Sequence, residues 1–547
     1  MRRSLLGLLV ICSLAVPAAL GQTTAKDYYN RGVDRQEKGD LDGALADYTK
    51  AIELDQKYAL AYNNRGFARQ SKGDFDGALA DYNLAILFEP KYTLAYINRG
   101  NAKQGRGDFD AAIADFSRVV ELDPNNFFGY NNRGNARQGK GDFGGAIADY
   151  NRAIELDPKY VAAYYYRGAA RLEVGDLDGA IADFTRAIGL DPNHANAFYN
   201  RGLARYQKRD LDGALADFDK SIEIDPKDPD RYNGRGYTRQ ARGDLDGAIA
   251  DYDRAIELDP KDADAYVSRG HIRRVKGEID AAIADFGRAI EIDPKHALAY
   301  NNRGEARRAK GDVDGAIADG SQAIELNPRS AAAYSSRGLA RYDKSDWDGA
   351  VADFNRAIEI NPKYAKAYAG RGDARNGKKD LAGAVADYTK AIDLDARYAD
   401  AYRSRAWAKI YLNDGAGTYQ DASRYLELSG LKDSQAPSAI ILGYLGLRKA
   451  GGIAAAKAFV EGRLTHVDAQ AWPAKIMRFL AGQLNAEQLL ALATDKGKLT
   501  EAHAYIGEVQ MLAADRPGAR LHFQWVRDNG SKTRPEYDLA LGELKRL

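Results

Sequence analysis

Residues 228–260 read DPDRYNGRGYTRQARGDLDGAIADYDRAIELDP. Two helices are written into this stretch. Gly243 ends the first, and Asp244 follows as the N-cap of the second. Pro260 stops the second helix from continuing, because its ring occupies the space a helix needs and it brings no N–H. The same punctuation recurs along the chain. Pro90, Pro124, Pro158, Pro192, Pro226, Pro260, Pro294, Pro328 and Pro362 stand 34 residues apart, with Gln56 and Ala396 in the same slot at either end. Taking that slot as position 32 gives eleven 34-residue repeats, from Ala25 to Tyr398. They cover residues 25–398, most of the molecule.

Within the repeats four positions alternate small and large. Position 4 is aromatic throughout, from Tyr28 and Tyr62 to Tyr368. Position 8 is always Gly, position 20 always Ala, and position 24 is Tyr or Phe except at Gly320. Such spacing lets helix A of a repeat lie close against helix B and against helix A of the next repeat, with the rings filling the wedge. The expected fold is all-α: a right-handed superhelical solenoid of antiparallel helix pairs.

The pattern aromatic-x-x-x-Gly…Ala-x-x-x-Tyr/Phe-x-x-Ala…Pro, recurring once per repeat, resembles the tetratricopeptide-repeat (TPR) family. That resemblance implies a scaffold that holds other proteins rather than an enzyme. One departure from the family is systematic. Position 7, usually Leu there, is Arg in all eleven repeats (Arg31, Arg65, Arg99, Arg133 and on to Arg371), and position 23 is Asp in all eleven (Asp47, Asp81, Asp115, Asp149 and on to Asp387). A half-buried guanidinium needs a carboxylate, so each Arg is expected to pair with an Asp of its own or a neighbouring repeat as a structural ion-pair ladder.

After residue 398 the pattern degrades. Residues 399–428 keep Tyr402 and Arg405 at positions 4 and 7 but carry Ala406 for Gly, and read as a degenerate twelfth repeat. Residues 429–547 form a C-terminal helical region. Leu442-Gly443, Ala455 and Phe459 fall at repeat spacing there, and so do Ile506-Gly507, Ala519 and Phe523. Residues 467–498 read as two helices without the fingerprint, and 535–547 as an amphipathic helix covering the last pair, as the apolar end of a solenoid requires. The segment EAHAYIGEVQMLAADRPGARLHFQWV followed by EYDLALGELKRL resembles the end of periplasmic NlpI-type TPR lipoproteins. That resemblance implies an adaptor of envelope hydrolases and proteases, and a homodimer through the C-terminal helices.

The segment 1–21 reads as a signal peptide, with an uncleaved membrane anchor as the alternative reading. Arg2 and Arg3 precede an apolar run, and Ala19-Leu20-Gly21 offers a cleavage site that leaves Gln22 first. Periplasmic or secreted localisation follows. The single cysteine, Cys12, lies inside the apolar run, so the mature chain carries no disulfide, thiolate or cysteine-held metal. Ile11 is too bulky for the residue before a lipidated Cys. With 79 basic against 78 acidic side chains, the chain has no electrostatic case for nucleic acid as its main partner. No apolar stretch after Gly21 is long enough to span a bilayer.

Protein or peptide partners remain, and helix A supplies the candidate groove. Position 6 is Asn in six repeats: Asn30, Asn64, Asn98, Asn132, Asn200 and Asn302. One amide can accept from a peptide N–H and donate to a peptide C=O, so a row of them suits an extended chain. The row resembles the asparagine ladder in the TPR superhelix of protein O-GlcNAc transferase. Further along, Tyr165, Tyr199, Tyr206 and Tyr237 supply aromatic area of the kind that anchors partner side chains. Both sets also suit plain inter-helix architecture. Lys26 and Lys366 are the only lysines at position 2, too few for a basic clamp on a peptide carboxylate. The six His are scattered, and no residues read as catalytic, metal-binding or cofactor-binding. The expected function is an exported scaffold binding extended segments or domains of envelope proteins. The alternative is a structural component of an envelope secretion or assembly complex, acting through its convex or C-terminal surfaces.

Overall fold

Asp74 shows how one repeat is punctuated. Its Oδ1 accepts a hydrogen bond from Gly77 N at 2.9 Å, which satisfies one of the orphan donors of the helix that starts at Phe75. The residue before it, Gly73, sits at φ +84°, where a Cβ would be strained. The turn recurs along the array with an Asp cap. Glu278 is the exception, and its longer side chain makes no cap bond.

The computed structural model describes residues 23–547. The signal segment and Cys12 lie outside the described residues. The described residues form 31 α-helices and one short 3-10 turn. Helix A and helix B of repeat 1 are Ala25–Glu37 and Leu41–Leu54, and those of the twelfth repeat are Ala399–Tyr411 and Gly415–Ser429. Up to Leu258, and again from Ala263 onward, consecutive helices pack against each other, giving an all-α solenoid of antiparallel pairs. Two compact bodies can be told apart, one ending at Asp259 and the other running Pro260–Leu547. The helices of repeats 1 to 7 belong to the first. The second holds repeats 8 to 12 and the C-terminal helices.

The core of each repeat is one ring on one glycine. Tyr48, Tyr82, Phe116 and Tyr150 at position 24 are fully buried. A Cβ placed on Gly32, Gly66 or Gly134 would lie 2.7, 2.8 or 2.6 Å from the ring of Tyr48, Tyr82 or Tyr150. Position 8 is therefore Gly because the ring of helix B occupies the place of its side chain. In repeat 9, where Gly320 replaces the ring, Gly304 faces no ring, and a Cβ on Gly320 would meet Arg337 Cβ of the next repeat at 2.9 Å.

The arginines at position 7 each grip the aspartate sixteen positions on. Arg65 donates from Nε and Nη2 to Asp81 at 2.9 and 2.7 Å, and Arg99, Arg133 and Arg31 meet Asp115, Asp149 and Asp47 in the same bidentate way. Arg405 and Asp421 repeat the motif in the degenerate twelfth repeat. The aspartates are buried, so the pairing compensates their desolvation. At Asp47 the Arg31 hydrogen bonds hold the carboxyl below its ordinary value, and Arg31 is raised by the same contact. Arg65 also lies 5.5 Å over the Tyr62 ring at position 4 and donates to Thr49 of the preceding helix B at 3.2 Å. One side chain thus ties its own two helices together and clips them to the repeat before.

A second, outer set of charges joins successive repeats. Lys72 pairs with Asp42, Arg106 with Asp76 at 2.5 Å, and Lys344 with Asp314 at 2.7 Å. Where one end of this bridge is missing, so is the other: Gly144 with Val174, and Ala382 with Leu412.

Beyond repeat 12 the helix pairs Ala436–Lys449 with Ile453–Glu461, and Lys496–Leu512 with Arg516–Asn529, keep the ring-on-glycine core. A Cβ on Gly443 or Gly507 would come within 2.5 Å of Phe459 or Phe523. Between them lie Trp472–Leu480 and Ala486–Leu492. The terminal helix Pro535–Arg546 packs on the last pair. It also turns back on repeats 11 and 12. Tyr411 Oη donates to Pro535 O at 3.0 Å, Arg546 Nη2 to Tyr411 O at 2.7 Å, and Lys379 Nζ meets Asp538 at 2.5 Å. Behind this contact Lys449 is buried, 2.6 Å from Glu543 and 3.4 Å from Glu508.

Candidate protein-binding face

Within each body, helix A of a repeat touches helix A of the next as well as its own helix B, whereas successive helices B make no comparable contact. The helix-A side is therefore the inner side of each stack, and its outward-pointing positions are the surface a partner would meet.

The six position-6 asparagines divide there into two groups. Asn64 Nδ2 donates to Tyr29 Oη at 3.2 Å, Asn98 Nδ2 to Asn63 Oδ1 at 3.0 Å, and Asn200 Nδ2 to Tyr165 Oη at 3.1 Å. Each reaches back to position 5 of the preceding helix A, and so spends a donor on repeat-to-repeat packing. Asn63 Nδ2 in turn donates to Asn64 Oδ1 at 3.1 Å. Asn30 is exposed at the start of the array, Asn132 is half-buried and Asn302 buried. Beside Asn132, the buried Asn131 Oδ1 receives no hydrogen bond.

The tyrosines differ in the same way. Tyr165 lies 6.0 Å from Phe184 and stacks on His194 at 4.8 Å, and Tyr199 lies 5.7 Å from Phe218. Both rings lean on helix B, and desolvation pushes the Tyr199 phenol up to about 12. Tyr206 is half-buried, whereas Tyr237, 5.5 Å from Tyr252, keeps 40% of its surface exposed.

Three side chains that sequence reasoning did not single out stand on the same face. Leu60, Leu94 and Phe128 occupy position 2 of repeats 2, 3 and 4 and are 37, 47 and 49% exposed. Phe67, at position 9 of repeat 2, is exposed too. Their signal was present in the sequence as apolar residues at one repeat position, a full repeat apart. Position 11 was also overlooked. Arg69, Arg137 and Arg171 donate there to Asp81, Asp149 and Asp183 at 2.8, 2.8 and 2.9 Å. Each buried carboxylate is thereby held by two cations, which makes it framework rather than a free acid or base.

Among the described residues, no three His, Cys, Asp or Glu side chains come together as a metal ion would require. His503 and His522 face each other, Nδ1 to Nδ1 at 2.8 Å, with His503 stacked on Trp525 at 3.9 Å. Desolvation and the neighbouring ring lower His503 to about 4, so the pair is neutral at ordinary pH. No described helix is long and apolar enough to cross a membrane. What the inner face offers is a row of exposed apolar side chains next to amides, suited to non-covalent contact with another chain.

Models of the tetratricopeptide repeat match residues 131–195, 170–229, 93–126 and 365–398. A TPR-repeat model matches 35–73, 237–273, 270–307, 304–345 and 338–377. Together they cover more than half of the chain. No curated protein sequence matches. Among solved structures, the MamA protein is 30% identical, with 31% of this chain and 94% of that one covered and a TM-score of 0.29. YrrB, described as a TPR protein with an unusual peptide-binding site, is 28% identical over 33% of this chain and 92% of its own, TM-score 0.29. Yeast Tom70 is 19% identical over 81% of this chain and 97% of its own, TM-score 0.35.

Proposed function

The chain belongs to the tetratricopeptide-repeat family, and from that premise we propose that it is an exported scaffold whose inner face holds extended segments of cell-envelope proteins. The observation that carries this reading is the row Leu60, Leu94 and Phe128, exposed at one position of three successive repeats. Exposed apolar side chains repeated along one face are the usual mark of a surface that another protein covers. The amides beside the row add direction. Asn132 makes no side-chain hydrogen bond among the described residues and can meet the backbone of an extended peptide, such a bond contributing about 1 kcal/mol net. Asn64 and Asn98 serve to fix the register of the repeats, and each keeps a second amide proton for a partner. Affinity arises from the number of shallow contacts, as is usual for a solenoid that reads an extended chain. Export rests on the signal-like segment 1–21.

The test is a pull-down of envelope proteins by residues 22–547, run beside the triple variant L60D/L94D/F128D, with bound proteins identified by mass spectrometry. The three positions are exposed, so the variant keeps its fold. Envelope proteins captured by the wild type and lost by the variant support the reading. Identical captured sets refute the inner-face site. N-terminal sequencing of the protein recovered from cells, starting at Gln22 or at Met1, decides export separately.

A further inference from the structure

The turn of the terminal helix back onto repeats 10 to 12 leaves a cavity of about 740 Å³ within the C-terminal body. One wall is aromatic, with Tyr342, Trp347 and Tyr411 from the helix ends of the repeats. The opposite wall is the loop before the terminal helix and that helix itself. Small residues keep the space open. The indole of Trp347 sits where a Cβ on Gly377 would come within 2.8 Å, and a Cβ on Gly542 would meet nothing within 4 Å.

The lining is basic. Lys379, Lys532, Arg534, Lys545 and Arg546 face it against a single carboxylate, Asp538. Three of the cations have acidic partners: Lys379 meets Asp538, Arg534 meets Glu501 at 3.1 Å, and Arg546 meets Glu543 at 2.6 Å. Lys532 and Lys545 have no carboxylate within ion-pair distance among the described residues, and both are exposed at the rim. An aromatic floor flanked by two uncompensated ammonium groups calls for a ligand with an apolar side chain between carboxylates. The volume is that of a pocket for a few side chains, not a channel for a polymer. A chain with 79 basic and 78 acidic side chains does not attract polyanions over its whole surface, so the excess at this one place is local.

We propose that this cavity is a second binding site, for an acidic peptide segment that places an aromatic or aliphatic side chain against Trp347 and Tyr411 and its flanking carboxylates at Lys532 and Lys545. It lies outside the body that carries Leu60, Leu94 and Phe128 and does not rest on that reading.

The probe is a fluorescein-labelled Gly-Asp-Glu-Phe-Asp-Glu peptide, titrated with residues 22–547 and followed by anisotropy at low salt. Two variants address the site by different means. K532E/K545E reverses the rim charge at exposed positions, and G542F fills the cavity from a helix position where a Cβ meets nothing within 4 Å. Binding is expected to weaken about tenfold or more in each, from roughly 1.4 kcal/mol of lost contact. A Gly-Lys-Lys-Phe-Lys-Lys peptide is expected not to bind, and L60D/L94D/F128D to bind the acidic probe as the wild type does. The proposal is overturned if the acidic peptide fails to bind, or if neither variant weakens it. It is equally overturned if binding is lost only in L60D/L94D/F128D, or if inorganic phosphate at the probe's own concentration displaces it, since that would mark a simple anion site.

Discussion

Changing Asp81 to Asn separates a buried carboxylate from an exposed one within a single repeat. Asp81 is 1% exposed and accepts three charged hydrogen bonds, at 2.9 and 2.7 Å from Arg65 and 2.8 Å from Arg69. Asn keeps the shape and one acceptor oxygen but turns an N–H toward a guanidinium, leaving Arg65 with no anion and Arg69 with only the exposed Asp74 at 3.8 Å. Breaking a buried pair from one side costs about 3–5 kcal/mol, and the retained acceptor brings D81N to roughly 3 kcal/mol. Asp76, earlier on the same helix, also meets an arginine, Arg106 at 2.5 Å, but its side chain is 87% exposed. Water replaces that pair, so D76N is expected to cost no more than about 0.5 kcal/mol. A repeat array opens locally, so the fitting assay is hydrogen exchange of helix B of repeat 2, Phe75–Phe88, by mass spectrometry. In D81N its slow amides should exchange roughly 100-fold faster, and in D76N about 2-fold or less, at about 1.4 kcal/mol per factor of ten. Equal acceleration in the two variants would refute the view that burial, not charge pairing as such, gives the ladder its weight. An effect of D81N below about 1 kcal/mol would show that water reaches the pair.

Four further outcomes are expected. G66A places a Cβ 2.8 Å from the Tyr82 ring and 3.1 Å from Ala78 O, and should destabilise repeat 2 by about 1–3 kcal/mol in hydrogen exchange. G304A faces no ring, its nearest neighbours being Ala316 O and Asp319 Cβ at 3.3 Å, and should cost less than G66A by the same measurement. Lys379 holds a left-handed turn at φ 67° where most repeats have Gly, so K379G should relieve about 1 kcal/mol of strain, more than its exposed bridge to Asp538 returns, and raise the thermal midpoint of the C-terminal body. The terminal helix should also loosen with rising pH. Burial, with help from Glu536, pushes Glu501 up to about 7, and burial raises Glu508 and Glu536 in the same sense. Between the ordinary glutamate value and about 7 the folded form holds protons that the unfolded form has released, so stability falls as pH rises through that window. His503, lowered to about 4, acts oppositely below its ordinary value of 6.5, where the folded form binds fewer protons and stability falls with acid. Above that value the glutamates act alone. Exchange of residues 535–546, corrected for intrinsic rate, should therefore speed up from about pH 6.5 to about pH 8, and E501Q should flatten the change.

Much of this molecule was legible because its contacts are periodic and short in sequence. A proline, a glycine and an aspartate, returning once in nearly every repeat, fix where helices stop and start. A ring at position 24 and a glycine at position 8 fix how each pair closes. Arg31 with Asp47 or Arg65 with Asp81 is a contact across the same interval, so the repeat itself announced it. The asparagine row was equally visible, but its use was not. That Asn64 and Asn98 donate a hydrogen bond to the preceding helix A depends on the axial step between repeats, which no one-dimensional pattern contains. The exposure of Leu60, Leu94 and Phe128 depends on it too. The C-terminal closure lay further still from the sequence. Lys379 and Asp538 are 159 residues apart, and Tyr411 and Pro535 are 124 apart. Helical periodicity predicted a terminal helix with one apolar face, but not which earlier repeats it returns to. The sequence by itself thus determined the repeat, its helices, its ring-on-glycine core and its charge ladder, because each is a local contact copied many times. Only the tertiary structure decided which amides stay free on the inner face and that the last helix folds back to enclose a basic cavity, because those outcomes are set by packing between segments far apart in the chain.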